Sequence, residues 1–231
     1  MSSALFTTRK RAHLPYDPWW HIVGLTFGLL FALMLMIARL YPQHLDRIDD
    51  VVEKLVMPLQ AAPYYEPFLA ITVLGSTLGV ILIAIGAAYL LRRNRFTVLQ
   101  LFLVLFFSAV SMGVAKAFVE RVRPDVLAWL TPLNSYSFPS GHATLSTAMY
   151  GFFAVCLYRR IRNPLLRFIS VAGCILIIFF VCLSRLVLSY HYVTDVTAGV
   201  FLGLFWLSVI FMLPKRRLVR LKRYPQKIEK F

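Results

Sequence analysis

Residues Phe96–Pro124 read FTVLQLFLVLFFSAVSMGVAKAFVERVRP, and the order of residue types in this stretch decides the architecture. Up to Val119 it is apolar, interrupted by one charge, Lys116, and it exceeds the roughly 18–20 residues that a helix needs to cross a bilayer. Arg92–Arg95 stand immediately before it. Four charges in eight residues close it, and Pro124 disfavours helical geometry at Arg123, which predicts a helix that ends there. Comparable apolar stretches run over His21–Tyr41, Pro67–Leu91, Gly141–Tyr158, Leu165–Leu188 and Thr194–Leu213. The expected fold is therefore all-α, a six-span transmembrane helical bundle. Six spans consume most of the 231 residues, so the expected organisation is one membrane domain over 1–231. A hydrophobic share of 59% and a mean hydropathy of +0.71 lie outside the range of ordinary soluble domains.

The net charge of +15 invites a nucleic-acid reading, which its distribution removes. The cations gather in Arg9–Arg11, Arg92–Arg95, Arg159–Arg167 and the tail, 214–231. These are the two termini and alternate connections of a six-span chain. Basic connections stay on the cytoplasmic side, which predicts both termini inside a cytoplasmic membrane, with the tail also attracting anionic headgroups. The loop Pro42–Glu66 is acidic instead, carrying Asp46, Asp49, Asp50, Glu53 and Glu66 against Arg47 and Lys54. Within it, Leu45–Val56 reads as a short amphipathic helix on the outer, periplasmic surface. Leu45, Ile48, Val52, Leu55 and Val56 form its apolar face and Asp46, Asp49, Asp50 and Glu53 its polar one; a plain cap packed on the bundle fits the pattern as well.

Cys156, Cys174 and Cys182 fall inside predicted spans with no zinc-like spacing, and read as buried thiols. The first span, with Trp19, Trp20 and His21 at its interface, reads as an uncleaved signal anchor. Gly75, Gly79, Gly86, Gly199 and Gly203 offer small faces for close helix packing.

Chemistry concentrates in three runs: Lys116–Pro124 (KAFVERVRP), Pro139–His142 (PSGH) and Ser184–Asp195 (SRLVLSYHYVTD). They supply three cations, two histidines, a carboxylate and a Ser-Gly turn, an inventory suited to holding and attacking a phosphoryl group. All three belong to the face opposite the basic connections. Lys116 and Arg123, seven apart, return to nearly one helix face, whereas Arg121 points elsewhere and reads as an interfacial charge. Snorkelling, or a pair with Glu120, is the bland alternative for Lys116. Ser140-Gly141 at a helix start lets backbone N–H groups approach an anion, with His142 in the first turn. His191 and Asp195 are four apart and share a helical face if the last span starts early. A carboxylate on one ring nitrogen leaves the other free as a nucleophile, and Arg185 offers a planar fork to phosphate oxygens.

These runs resemble a family signature: that of the type-2 phosphatidic acid phosphatases, relatives of the vanadium-dependent haloperoxidases. The signature is Lys, six residues, Arg-Pro; Pro-Ser-Gly-His; and Ser-Arg, five residues, His, three residues, Asp. Lys116…Arg123-Pro124, Pro139–His142 and Ser184-Arg185…His191…Asp195 match it throughout, and the resemblance covers about residues 65–215. It implies that His191 attacks phosphorus, forming a phosphohistidine, while Asp195 orients it. His142 would protonate the leaving oxygen and then activate water. Lys116, Arg123, Arg185, Ser140 and the Gly141 amide would bind the phosphate, with no metal and no cofactor. The expected partner is a membrane lipid phosphate at the outer face of a bacterial inner membrane: undecaprenyl pyrophosphate first, then phosphatidylglycerol phosphate or phosphatidic acid. A lipid A phosphatase or phosphotransferase of the same fold shares this chemistry as far as phosphohistidine. A lipid-binding or transport protein is the non-catalytic alternative.

Overall fold

The computed structural model describes residues 18–61, 63–124 and 136–213. The two basic terminal segments and residues 125–135 of the third connection lie outside them. Eight α-helices succeed one another among the described residues: α1 Trp19–Leu40, α2 Gln43–Val56, α3 Tyr65–Thr72, α4 Thr77–Leu90, α5 Arg95–Val119, α6 Gly141–Arg160, α7 Pro164–Val187 and α8 Val193–Met212. Short 3₁₀ turns over Met57–Gln60 and Val73–Gly75 flank α3.

Local sequence accounts for several boundaries. Asn163 caps α7 by accepting from the Leu166 amide at 3.1 Å, with Pro164 at the first helical position. Glu120 ends α5 in the left-handed region, φ 56°. The α5 helix therefore stops four residues before Pro124, and the expectation that it reaches Arg123 is corrected.

The second predicted span is not one helix. α3 and α4 meet at 52° across Val73–Ser76. Ser76 takes an extended conformation and accepts from the Gly79 amide at 3.0 Å, starting α4 afresh. The break is fastened to the bundle: the Tyr150 hydroxyl donates to the Leu74 carbonyl at 3.0 Å, and a Cβ on Gly75 would strike Val181.

Four helices, α1, α5, α7 and α8, are long and apolar enough to cross a membrane, and the bent pair makes a fifth candidate. α6 does not join that set, so the six-span expectation stands only in this coarser form. The reason is its position. α6 packs against α5, α7 and α8, and its residues Ala143–Phe152 are buried without interruption. A helix surrounded by protein carries hydroxyls that a lipid-facing helix would not. Thr144 Oγ1 donates to the Ser140 carbonyl at 2.8 Å and Ser146 Oγ to the His142 carbonyl at 2.5 Å. By contrast, Leu25, Leu82, Phe102, Phe168 and Ile175 face outward and are more than half exposed, the reverse of a soluble surface.

Small residues bring α8 against α6. A Cβ on Gly199 would lie 2.7 Å from the Ser140 carbonyl oxygen, and one on Gly203 2.8 Å from that of Thr144. Gly86 meets nothing, so close packing is not its role. Overpacking typically costs about 1–3 kcal/mol. Gly199→Ala is therefore expected to lower the unfolding temperature in detergent and to reduce activity, because it displaces the Ser140 turn. Thermal unfolding alongside an activity assay checks both.

The three cysteines are free, but only Cys174 is fully buried, while Cys156 and Cys182 are half-buried.

Candidate active site

The C-termini of α5 and α7 and the N-termini of α6 and α8 meet at one end of the bundle, and they carry all three runs. Lys116, in the last turn of α5, donates from Nζ to the Tyr136 carbonyl at 2.5 Å and the Ser137 carbonyl at 3.4 Å. Its ammonium is not paired with Glu120, whose carboxylate accepts from the Tyr136 hydroxyl instead. The turn at Glu120, not a shared helical face, brings Arg123 back towards Lys116. Arg123 donates to the Tyr190 carbonyl at 3.2 Å. Arg185 closes α7 at 5% exposure, stacks over the Tyr190 ring at 4.3 Å and donates to Thr72 Oγ1 at 2.7 Å. The three cations are near enough to feel one another's charge.

The Pro-Ser-Gly-His turn is fixed by backbone. The Ser137 amide donates to the Arg121 carbonyl at 2.7 Å, and the Ser140 amide to the Asp195 carbonyl at 3.0 Å. Ser140 precedes α6 without capping it, and Gly141 and His142 supply the first helical N–H groups, which find no acceptor within their own helix. Ser140 Oγ and Arg185 Nε are both buried with no hydrogen-bond partner among the described residues. Leaving such groups unmatched is costly, and both are donors to the oxygens of an anion. His142 lies within electrostatic reach of Arg185, His191, Arg123 and Lys116.

His191 falls in the turn before α8 and is not helical, so the shared-face expectation is corrected while the pair itself forms. Its Nδ1 is 3.5 Å from Asp195 Oδ2 and 3.4 Å from Ser137 Oγ. Asp195 sits in the first turn of α8, where its Oδ2 accepts from the Tyr192 amide at 3.1 Å and from the Ser137 hydroxyl. That capping geometry fixes the carboxylate beside Nδ1 of the imidazole, leaving Nε2 as the ring nitrogen that Asp195 does not engage.

Burial is the main reason that the His191 ring is pushed down to about 4; Asp195 opposes this, and Arg185 and Arg123 add to it. The ring is thus neutral and nucleophilic above that value. An unfolded chain binds this proton near pH 6.5, so between about 6.5 and 4 the unfolded state holds more protons and the native state loses stability as pH falls. The unfolding temperature is expected to drop across this window, and the drop to be shallower in His191→Gln. Unfolding scans at matched pH values check it.

Four participants escaped the sequence reading. Ser137 reaches Asp195, and Thr72 holds Arg185. Arg121 is no interfacial charge: 9% of its side chain is exposed, and it pairs with Asp195 at 2.9 Å and Asp49 at 2.7 Å. Asp49, expected on the polar face of α2, is buried at 2%, whereas Ile48 and Leu55 of its apolar face are exposed. Among the described residues, no three His, Cys, Asp or Glu side chains cluster as metal ligands.

The model of the PAP2 superfamily matches residues 97–218, more than half of the chain. The chain belongs to the PAP2 superfamily. Phosphatidylglycerophosphatase B of Bacillus subtilis (strain 168) is 30% identical over 206 residues, covering 87% of this chain and 98% of the relative. The crystal structure of the transmembrane PAP2 type phosphatidylglycerolphosphate phosphatase from Bacillus subtilis superposes with a TM-score of 0.67 at 26% identity, over 87% of this chain and 98% of that one. Aquifex aeolicus LpxE shares the fold, with a TM-score of 0.55 at 21% identity, over 69% of this chain and 92% of its own. The PAP2 match begins later than the expected 65–215, near the start of α5.

Proposed function

We propose that this PAP2 protein is a membrane lipid phosphatase that works through a phosphohistidine. The carrying observation is the oriented His191–Asp195 pair facing the cationic cluster with its two unmatched buried donors. Lys116, Arg123, Arg185, Ser140 Oγ and the Gly141 amide hold the phosphoryl oxygens and the charge that builds in the transition state. His191 Nε2 forms a bond to phosphorus as the bond to the lipid oxygen breaks, and His142 delivers a proton to that oxygen. Water then attacks the phosphohistidine, His142 takes its proton, and phosphate leaves with His191 restored. The fixed cations carry the charge that a metal ion would otherwise neutralise.

The substrate is a phosphomonoester or pyrophosphate on a lipid. Phosphatidylglycerol phosphate now leads, supported by the name of the 30%-identical Bacillus relative; undecaprenyl pyrophosphate and phosphatidic acid come after it. A lipid A phosphatase or phosphotransferase of the same fold is the second reading, because it shares this chemistry as far as phosphohistidine. In the proposed topology α6 is a sixth span enclosed by the others. The arginines of Arg92–Arg95 and Arg159–Arg167 lie at the end of the bundle opposite the site, which supports cytoplasmic termini and a catalytic end outside the inner membrane.

Purified protein given each lipid with EDTA present is expected to release inorganic phosphate, fastest from phosphatidylglycerol phosphate. No release from any of them overturns the hydrolase reading. Loss of activity with EDTA overturns the metal-free one, and phosphate appearing on an acceptor lipid selects the transferase.

A further inference from the structure

The N-terminus of α8 is held by two carboxylates from different parts of the chain. Asp195 caps it from within. Asp49, arriving on α2, accepts from the Thr194 amide at 3.0 Å and from Thr194 Oγ1 at 2.8 Å, a helix cap supplied by another helix. Two anions at one helix start suit the positive end of the dipole but repel each other. Arg121 lies between them. Its Nη1 donates to Asp195 Oδ1 at 2.9 Å and Thr194 Oγ1 at 2.7 Å, and its Nη2 to Asp49 Oδ2 at 2.7 Å. The guanidinium also stacks over the Tyr192 ring at 4.3 Å. Arg121, Asp49, Thr194 and Asp195 thus form one buried network, which the exposed Asp46 joins at 3.5 Å from Arg121 Nη2 and whose Asp195 lies beside His191.

We propose that Arg121 and Asp49 are positioning residues for the phosphoryl transfer: α2 and the turn after α5 clamp the start of α8, fixing both the direction and the charge of the carboxylate that orders the nucleophile. This inference rests on the phosphatase reading. Neither residue belongs to the three runs' assigned phosphate-binding or acid–base groups, and Arg121 spends both terminal nitrogens on the network. α2 also borders the same space as His191. Asp49, Val52, Glu53 and Val56 share with His191 the wall of a pocket of about 20 Å³.

The charges facing His191 give opposite predictions for the two partners. Asp195 stands beside Nδ1, Arg123 and Arg185 act across the site, His142 faces it from α6, and α2 contributes Asp49 and Glu53. Arg121 is held above the ordinary guanidinium value because Asp195 and Asp49 outweigh its burial, so it is always charged. Removing its charge leaves the carboxylates uncompensated and favours a proton on His191. Removing the Asp49 charge leaves Arg121 less compensated and disfavours that proton.

The test measures kcat, KM and the acid limb of the kcat profile for the full-length wild type, Arg121→Gln, Arg121→Lys, Asp49→Asn and the Arg121→Gln/Asp49→Asn double variant. Arg121→Gln is expected to lose at least about 10-fold in kcat with KM within about threefold, and Arg121→Lys to recover part of it. The acid limb is expected to rise by several tenths of a unit in Arg121→Gln and to fall by a similar amount in Asp49→Asn. The double variant is expected to be much less impaired than the product of the two losses predicts. A purely structural role lowers the active fraction without moving the limb. Unmoved limbs, movement in one common direction, or wild-type kcat in both single variants overturn the proposal. If Arg121→Gln does not fold, the limb of the isosteric Asp49→Asn decides alone. A wild type that releases no phosphate sinks the phosphatase reading itself, whereas an active wild type with indifferent variants sinks only this inference.

Discussion

His191→Ala is expected to lower phosphate release by at least about 10⁴-fold, the scale on which removal of a covalent nucleophile acts. The imidazole is the group proposed to bond to phosphorus, and its Nδ1 is committed to Asp195 and Ser137. No neighbour is expected to substitute for it, because His142, in the first turn of α6, is the group proposed to serve the leaving oxygen. The fold is expected to survive. Asp195 keeps Arg121, the Ser137 hydroxyl and the Tyr192 amide as partners, so truncation leaves no orphaned buried carboxylate. Phosphate release by the purified variant, with size-exclusion behaviour and thermal unfolding as fold controls, checks it. A folded variant within tenfold of wild type sinks the covalent mechanism.

The candidate site was legible in the sequence because each proposed member is a rare residue type at fixed spacing: Lys116 and Arg123, His142, Arg185, His191 and Asp195. What periodicity could not give was how those residues come together. Their convergence depends on helix ends, and single residues decide these: the left-handed Glu120 stops α5 early, and Tyr192 delays α8 past His191. A helical wheel continued through either point misplaces the residues beyond it, which is why Arg121 read as an interfacial charge. The burial of Asp49 on the polar face of α2 escaped notice for a related reason. Its polar and apolar residues divide cleanly on a wheel, yet the buried stripe is Leu45, Asp49 and Val56, rotated towards the carboxylate that α8 and Arg121 require. A buried anion with three partners has no compositional signature. α6 posed the opposite problem: its hydroxyls made it less apolar than its neighbours because protein, not lipid, surrounds it. The break at Val73–Ser76 had only Gly75-Ser76 as a signal inside an otherwise continuous apolar run.

The second large effect concerns His142, and its size is expected to depend on the leaving group. With a phosphomonoester lipid the departing oxygen belongs to an alcohol, a poor leaving group that needs a proton as its bond to phosphorus breaks. With a pyrophosphate lipid the departing oxygen belongs to a phosphate monoester, which leaves readily as an anion. General acid catalysis typically contributes about 10²–10⁴-fold and matters most where the leaving group is worst. His142→Ala is therefore expected to lose activity over that range on phosphatidylglycerol phosphate and markedly less in the first step on undecaprenyl pyrophosphate. In the proposed second step His142 is the base that activates water, and that step is the same for both substrates. Loss of that base leaves the phosphohistidine formed from the pyrophosphate stranded. Quenching His142→Ala with labelled substrate is expected to trap labelled protein from the pyrophosphate but little from the monoester, because only the pyrophosphate reaches the intermediate faster than it is hydrolysed. Equal losses on both substrates with no trapped label would remove His142 from the leaving-group side and leave it as one more phosphate-binding residue beside Arg185 and Lys116.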